Sequence, residues 1–327
     1  MYVSQPSQVA FSYAPGKVIL VGEHAVVYGA KAIAVPIDCG VRVAVMPRPK
    51  EYTGAEGPVL RGLGPFFMGE AYLDSTNGPQ VLKSALSYLR NNLGKHVSEL
   101  AIVVEGSLPL GTGLGSSAAL SVALVKGVFR YLSREADEFE LERHVMALES
   151  IFHGQASGID HAVIMRNVAL SFRKTAISVE VHSIKLASPI TLVLGIAGPH
   201  EGTKNAVREL GLRKNRQEKA YEHIFLGLDQ IADEMEFALI QGHKSQVGDL
   251  MNIAQGYLNA LSLSTPQVEK LCAIARERGA LGAKLTGAGG GGAVIALADG
   301  NETDIFNAFK AAGYQSLIVQ VRPNELS

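Results

Sequence analysis

Runs of β-branched and other apolar residues recur along the chain between glycine, proline and polar residues. This pattern is typical of β-strands. Six such runs predict strands: VILVGEHA, AIAVPIDCGVRVAV, LAIVVEGSL, SVEVHSIKL, ITLVLGIAG and SLIVQVRP. A further apolar run is interrupted by glycines, KLTGAGGGGAVIAL at Lys284 to Leu297, and predicts two strands joined by a turn.

Apolar residues at helical spacing predict helices between and after these strands. In the first half of the chain the predicted helices cover 79–94, with Gly94 as the stop signal, then 116–132 and 137–152. Longer helices follow over 213–240 and 246–261, and a last helix covers 303–312. Between the helix at 246–261 and the last helix, we predict another helix that Ser264 or Thr265 caps, with Pro266 in its first turn and Gly279 at its end.

Strands and helices in this order predict an α+β protein with two lobes. The chain has 327 residues, enough for two cores, since one core seldom serves more than about 250 to 300 residues. We place the domain boundary near residue 187, which gives an N-terminal domain of residues 1–187 and a C-terminal domain of residues 188–327. We expect the active site between the two lobes.

Composition excludes several classes of function. Lys and Arg number 30 and Asp and Glu 31, so a basic surface for nucleic acid or an anionic membrane is not indicated. Only Cys39 and Cys272 are present, which fits a reducing compartment and offers no metal-ligand spacing. No secretion signal or membrane-spanning run is recognisable, and we expect a cytoplasmic protein.

The segment PLGTGLGSSAAL runs from a glycine-rich loop directly into a predicted helix. Backbone N–H groups at a helix N-terminus bind anions, and glycines allow a phosphate to approach the backbone closely. An ordinary strand-to-helix turn is the alternative. The Walker A string and the HRD and DFG strings of protein kinases are absent, and the loop does not fit GxGxxG because its third glycine comes one residue early, so a P-loop or dinucleotide-binding protein is not indicated.

Two other segments share this glycine-rich character. They are SYAPGKVILVGEHAVVYGAKAIAVPID near the N-terminus and KLTGAGGGGAVIAL near the C-terminus. With PLGTGLGSSAA, they resemble the three motifs of the GHMP kinase superfamily in their usual order. The resemblance implies the two-lobed GHMP kinase fold, with an N-terminal α/β lobe that holds the glycine-rich phosphate loop and a smaller, ferredoxin-like C-terminal α/β lobe.

Within the superfamily, the chain looks most like the mevalonate kinase branch. The string GEHAVVYG at Gly22 to Gly29 and the string ESIFHGQASGID at Glu149 to Asp160 carry this resemblance. Ala156 stands where the branch usually has proline. This departure removes some loop rigidity and leaves the carboxylates in register.

The resemblance implies a role for each motif. Asp160 matches the catalytic aspartate and Lys17 the lysine that would keep it ionised, while Ser117 and Glu149 would hold Mg²⁺. Glu23, His24, Thr203, Gly287 and Ala288 match the substrate side, with Glu23 and His24 at the hydroxyl and carboxylate end. The ATP phosphates would lie on Pro109, Gly111, Thr112, Gly113, Leu114, Gly115, Ser116 and Ser117.

The implied activity is ATP-dependent phosphorylation of the C5 hydroxyl of (R)-mevalonate, with ATP and Mg²⁺ as cofactors. Two alternatives stay open: a related kinase for phosphomevalonate or a sugar, and a non-catalytic sensor of ATP and metabolite. A second phosphate would need a basic cluster, which is not found near Glu23 and His24 in the sequence, and a sensor has no need of Lys17, Glu149 and Asp160. Expected partners are the small-molecule substrate and, as an open alternative, a second copy of the chain, with no nucleic acid and no membrane.

Overall fold

The structure, a computed structural model, describes residues 9–50, 58–63, 79–109, 111–135, 137–153, 159–175, 177–198 and 203–323. These residues form two compact units. The first unit takes the described residues of Met1–Gly16, Cys39–Pro109 and Gly115–Arg166. The second takes those of Lys17–Asp38, Leu110–Leu114 and Asn167–Ser327. The linear boundary near residue 187 stays a prediction.

The secondary structure is mixed, which confirms the predicted α+β class. The helices are α1 Gln80–Leu93, α2 Ser116–Tyr131, α3 Glu138–His153, α4 Ile159–Arg166, α5 Thr203–Arg216, α6 Glu218–Gln241, α7 Lys244–Ala260, α8 Pro266–Glu277 and α9 Glu302–Ala311. The strands are β1 Ala10–Val21, β2 Ala32–Pro47, β3 Val59–Leu63, β4 Leu100–Gly106, β5 Leu170–Lys174, β6 Val179–Ser183, β7 Ile190–Gly198, β8 Gly282–Thr286, β9 Gly292–Ala298 and β10 Gln315–Val321.

The first unit packs α2 against strands. The second half of β2 pairs antiparallel with β4, from Val41 opposite Gly106 to Pro47 opposite Leu100, and β3 runs parallel to β4. Most of α2 is buried, and the Ser12 hydroxyl of β1 donates a hydrogen bond of 2.6 Å to the carbonyl of Ala123 in α2. This packing fixes the helix that follows the glycine-rich loop.

The second unit contains a four-stranded antiparallel sheet in the order β10-β7-β9-β8. Strands β8 and β9 are buried along their whole length. Helix α7 approaches β8 so closely that a Cβ atom on Gly282 would lie 2.1 Å from the carbonyl oxygen of Gly248. The two glycines therefore permit the contact that holds β8, which leads into the GAGGGG turn.

Several predicted elements are confirmed with their boundaries. Helix α1 ends at Leu93 before Gly94. Thr265, one of the two predicted caps of α8, accepts a hydrogen bond of 3.3 Å from the Val268 N–H at the start of the helix. Pro266 lies in the first turn of α8, where its missing N–H costs nothing.

The helix predicted over 213–240 is wrong at its start. Most of it forms α6, while residues 213–216 end α5, whose first ten residues, 203–212, were not predicted. The chain forms α5 and α6, which meet at Gln217, where φ is −138° and ψ is 46°. Neither glycine nor proline marks the break, so the sequence carries no local signal for it. Phe225 of α6 stacks on Tyr28 with ring centroids 4.4 Å apart, a long-range contact that helps to set the direction of the second helix.

The strand predicted from VILVGEHA has different limits. Strand β1 starts earlier, at Ala10, and ends at Val21, so Gly22 to Ala25 lies beyond it. Gly22 and His24 adopt φ angles of 98° and 58°, which end the extended conformation, and a 3₁₀ turn follows at Ala25–Tyr28. Elements β3, α4 and β5 were not predicted. Among the described residues, we find no helix with the length and apolar character that a bilayer-spanning segment requires.

Candidate active site

The predicted phosphate loop is a turn of left-handed glycines that leads into α2. The φ angles are 69° at Gly111, 80° at Gly113 and 75° at Gly115. Residues with a Cβ atom rarely adopt this conformation, which explains the alternating glycines. Gly115 is the N-cap of α2 and carries no side chain over the helix N-terminus. Ser116 and Ser117, the first two helical residues, are half-buried. Pro109, Thr112 and Leu114 are buried.

In the second unit this loop lies directly against the third glycine-rich motif. A Cβ atom on Gly287 would lie 3.2 Å from the Cα atom of Gly113, and one on Gly292 would lie 3.1 Å from the carbonyl oxygen of Thr112. The Lys17 N–H donates a hydrogen bond of 3.0 Å to the Leu114 carbonyl. Residues from all three predicted motifs therefore meet through their backbones.

Glu23 and His24 are buried, and His24 contacts the third glycine-rich motif. The His24 Nε2 atom lies 2.7 Å from the carbonyl oxygen of Ala288, so Nε2 carries the proton in this hydrogen bond. Burial, as the main cause, and the positive charge of Arg213 lower the pKa of His24. The imidazole is therefore neutral near pH 7, and its Nδ1 atom is a hydrogen-bond acceptor.

Two acceptor atoms in this pair lack a hydrogen-bond partner. His24 Nδ1 and Glu23 Oε2 are buried, and neither makes a hydrogen bond to the part of the chain that the structure describes. A buried polar atom without a partner costs free energy. Two such acceptors on neighbouring residues are therefore suited to a ligand that donates hydrogen bonds, such as one with hydroxyl groups.

Lys284, which the sequence analysis did not assign to the site, forms a fully buried ion pair with Glu23. Its ammonium group donates to Glu23 Oε1 and to the carbonyl oxygens of Leu285 at 2.6 Å and Ile19 at 3.3 Å. Burial raises the pKa of Glu23 and lowers the pKa of Lys284, and the attraction between the two charges opposes both changes. A lysine flanked by the apolar residues Ala283 and Leu285 in a predicted strand was the signal that could have revealed this residue.

Ser117 and Glu149, the two predicted Mg²⁺ ligands, lie together in the first unit. The Ser117 hydroxyl donates a hydrogen bond of 3.5 Å to Glu149 Oε1, and the Glu149 carboxylate is buried. A hydroxyl and a carboxylate are hard oxygen donors of the kind that Mg²⁺ prefers. The described residues contain no group of three or more His, Cys, Asp or Glu side chains that could hold a metal. A magnesium ion at Ser117 and Glu149 would complete its coordination with water or substrate oxygens.

Asp160 lies in the first turn of α4, where the helix dipole favours a negative charge. The next residue, His161, is buried, and its Nε2 atom lies 3.0 Å from Glu142 Oε1 of α3. Asp160 is in the first unit and Lys17 in the second, so their predicted pairing stays a prediction. The Thr203 side chain and residues 154–158 lie outside what the structure describes, although Thr203 begins α5.

Comparison with known proteins identifies the family. The GHMP kinases N-terminal domain matches residues 80–167 and the GHMP kinases C-terminal domain residues 235–315. A mevalonate kinase of Thermococcus onnurineus is 32% identical over 321 residues, covering 94% of this chain and 95% of that protein. The chain belongs to the mevalonate kinase family.

Further relatives agree with this assignment. A mevalonate kinase of Aeropyrum pernix is 33% identical over 297 residues, 89% of each chain. The crystal structure of L. major mevalonate kinase in complex with R-mevalonate shares the fold, with a TM-score of 0.85 and 24% identity over 99% of this chain and 100% of that one. The family confirms the predicted GHMP kinase fold and an ATP-dependent kinase that phosphorylates an alcohol.

Proposed function

We propose that the protein transfers the γ-phosphoryl group of ATP to the C5 hydroxyl of (R)-mevalonate, which yields (R)-5-phosphomevalonate and ADP for isoprenoid precursor synthesis. The observation that carries the proposal is the meeting of the three motifs in the second unit. There, the GAGGGG turn contacts the glycine loop through Gly113 and contacts His24 through Ala288. One short turn therefore adjoins both a candidate phosphate loop and a candidate acceptor site.

The glycine loop would hold the phosphates of ATP. Left-handed glycines let backbone N–H groups converge on an anion, and the N-terminus of α2 adds its dipole and its N–H groups. The loop also contacts the backbone of the third motif, and these contacts keep it preorganised. Phosphoryl transfer depends mostly on such positioning and on charge stabilisation.

Ser117 and Glu149 would hold Mg²⁺ together with the phosphates of ATP. When bound there, the ion would neutralise negative charge on the β- and γ-phosphates. Only two protein ligands are proposed, in keeping with an ion that retains water and phosphate ligands. Asp160 would accept the proton of the attacking hydroxyl late in the reaction, and Lys17 would hold the Asp160 carboxylate in its charged form.

Glu23 and His24 would bind the hydroxyl groups of mevalonate. The partnerless atoms of this pair, Oε2 and Nδ1, are both acceptors, and a hydroxyl group supplies the donor that each needs. A carboxylate or phosphate group offers acceptors only and would repel the Glu23 charge. The hydroxyl side of mevalonate would therefore lie at the pair, and 5-phosphomevalonate would bind poorly in the same position. Thr203, Gly287 and Ala288 would complete the substrate side. A homodimer and a cytoplasmic location stay predictions.

An ADP-release assay tests the proposal, with mevalonate, 5-phosphomevalonate, galactose and homoserine offered at equal concentrations. We expect turnover of mevalonate to exceed that of the other three by a wide margin. Equal or faster turnover of 5-phosphomevalonate would reject the assignment in favour of a phosphomevalonate kinase. ATP binding without turnover of any of the four compounds would favour a sensor.

A further inference from the structure

Lys284 is a lysine with no exposure to solvent, in a strand whose residues are all buried. A lysine ammonium has three protons to donate. All three have acceptors here, namely Glu23 Oε1 and the carbonyl oxygens of Leu285 and Ile19. The ammonium therefore has no proton left for a phosphate or a substrate, and any effect of Lys284 on the reaction must pass through a neighbouring residue.

The hydrogen bonds of Lys284 join two segments that flank the candidate substrate site. Ile19 belongs to β1, which ends two residues before Glu23, and Lys284 belongs to β8, which leads into the GAGGGG turn. Thr286 strengthens the same junction, because its hydroxyl accepts a hydrogen bond of 2.8 Å from the Ile19 N–H. Lys284 thus connects the segment that carries Glu23 and His24 to the segment that carries Ala288.

We propose that Lys284 is a positioning residue that holds Glu23 as a carboxylate, with Oε1 occupied and Oε2 presented to the substrate hydroxyl. The inference rests on the proposed function, since it assigns Oε2 of Glu23 to mevalonate. The proposal goes beyond the proposed function because the binding of mevalonate then depends on Lys284, a residue that does not itself contact mevalonate. A neutral carboxylic acid at this position could donate a proton through Oε2 and would lose its charge-assisted hydrogen bond to the hydroxyl.

The charged groups around Glu23 and Lys284 support a carboxylate at Glu23 that is held by the Lys284 ammonium. Lys284 and, more weakly, Lys17 lower the pKa of Glu23 against the stronger effect of burial. Besides Glu23, Cys272 is the titratable group that acts on the pKa of Lys284, and burial raises the pKa of Cys272 itself to about 12. The thiol is therefore neutral at pH 7, and the Lys284 ammonium is left to balance the Glu23 carboxylate.

A double-mutant cycle tests the proposal, using Lys284→Met, Glu23→Gln and the double variant in the full-length protein. We expect Lys284→Met to raise the KM for mevalonate on the order of 10- to 100-fold, the range for losing a hydrogen bond to a charged group, with the KM for ATP nearly unchanged. Because Lys284 acts only through Glu23, the double variant should bind mevalonate no worse than Glu23→Gln alone. It should also melt at a higher temperature than either single variant, since no unpaired buried charge remains.

A pH profile separates positioning from a general structural role. Without the ammonium the pKa of the Glu23 carboxyl rises further, so kcat/KM of Lys284→Met should recover as the pH increases above neutral, with no matching recovery in the wild type. Lys31→Met is the matched control. This variant removes a different ion-paired lysine of the second unit, whose ammonium lies 2.6 Å from Asp233 and 2.8 Å from Glu236. We expect the KM for mevalonate and the KM for ATP to stay unchanged.

Two results would overturn the inference. One is a further loss of mevalonate binding when Lys284→Met is added to Glu23→Gln, which would show a role independent of Glu23. The other is a rise in the KM for ATP rather than for mevalonate. If Lys284→Met does not fold, the comparison of the double variant with Glu23→Gln still decides. If the wild type phosphorylates another acceptor, the proposed function fails and the same cycle is measured with that acceptor.

Discussion

The contact between the GAGGGG turn and the phosphate loop can be tested by adding one methyl group. Gly287 has a φ angle of 89°, and a Cβ atom on it would lie 3.2 Å from Gly113 Cα and 3.4 Å from the Gly113 carbonyl oxygen. Carbon atoms normally approach to about 3.5 to 4.0 Å. Gly287→Ala must therefore push the loop away by a few tenths of an ångström, at a point where both partners are backbone.

Gly290→Ala is a matched control in the same turn. Its φ angle of 68° is also left-handed, but no atom lies within 4 Å of the added Cβ position. Both variants pay about 1 to 2 kcal/mol for the left-handed conformation. Only Gly287→Ala adds the cost of overpacking, about 1 to 3 kcal/mol. We therefore expect a total loss of about 2 to 5 kcal/mol for Gly287→Ala, compared with about 1 to 2 kcal/mol for Gly290→Ala.

The two variants should also differ in function. Displacing Gly113 misaligns the phosphate loop. Because a displacement of about 1 Å can cost on the order of 100-fold in rate and this one is a few tenths of an ångström, Gly287→Ala should raise the KM for ATP by about three- to tenfold. Gly290→Ala should keep the KM for ATP within about twofold of the wild-type value. Urea unfolding measures the loss of stability. The dependence of the initial rate on ATP concentration measures the KM for ATP. If Gly287→Ala matched Gly290→Ala in stability and in the KM for ATP, the close contact would be irrelevant to the loop.

Three further predictions concern the base, the metal and pH. Asp160→Asn should lower kcat on the order of 10²- to 10⁴-fold while ATP affinity and the melting temperature stay nearly constant, and retained turnover in the folded variant would assign proton removal to another group. Glu149→Gln should raise the Mg²⁺ concentration needed for half-maximal rate; an unchanged Mg²⁺ titration would exclude Glu149 as a ligand. Burial lowers the pKa values of His24 and His144 in the folded state, so the unfolded state binds more protons below about pH 6.5 and the free energy of unfolding should fall as the pH drops below that value. His24→Asn should flatten this decline in urea unfolding between about pH 7 and 5, whereas an identical slope would contradict a neutral buried His24.

Local sequence patterns determined much of the framework. Runs of β-branched and other apolar residues predicted most of the strands, and glycine, proline and threonine at helix ends predicted the limits of α1 and α8. The glycines of the phosphate loop were readable because left-handed backbone leaves few alternatives to glycine. The motif resemblance predicted the family and assigned Ser117 and Glu149 to one site, where they form a hydrogen bond. It also assigned His24 and Ala288, from two different motifs, to the substrate side, where the two residues are in contact.

Other features were decided only by the tertiary structure, because they depend on residues far apart in the chain. Helices α5 and α6 separate at Gln217 without any local breaking residue. Lys284 and Glu23 are 261 positions apart, and either residue alone would be expected at the surface. Their burial became stable only when folding brought the two charges together, since an isolated buried charge is costly and a paired one much less so. Periodicity and motifs thus determined which residues form each element, while long-range pairing determined which charge Glu23 meets and which of its oxygens is left for a ligand.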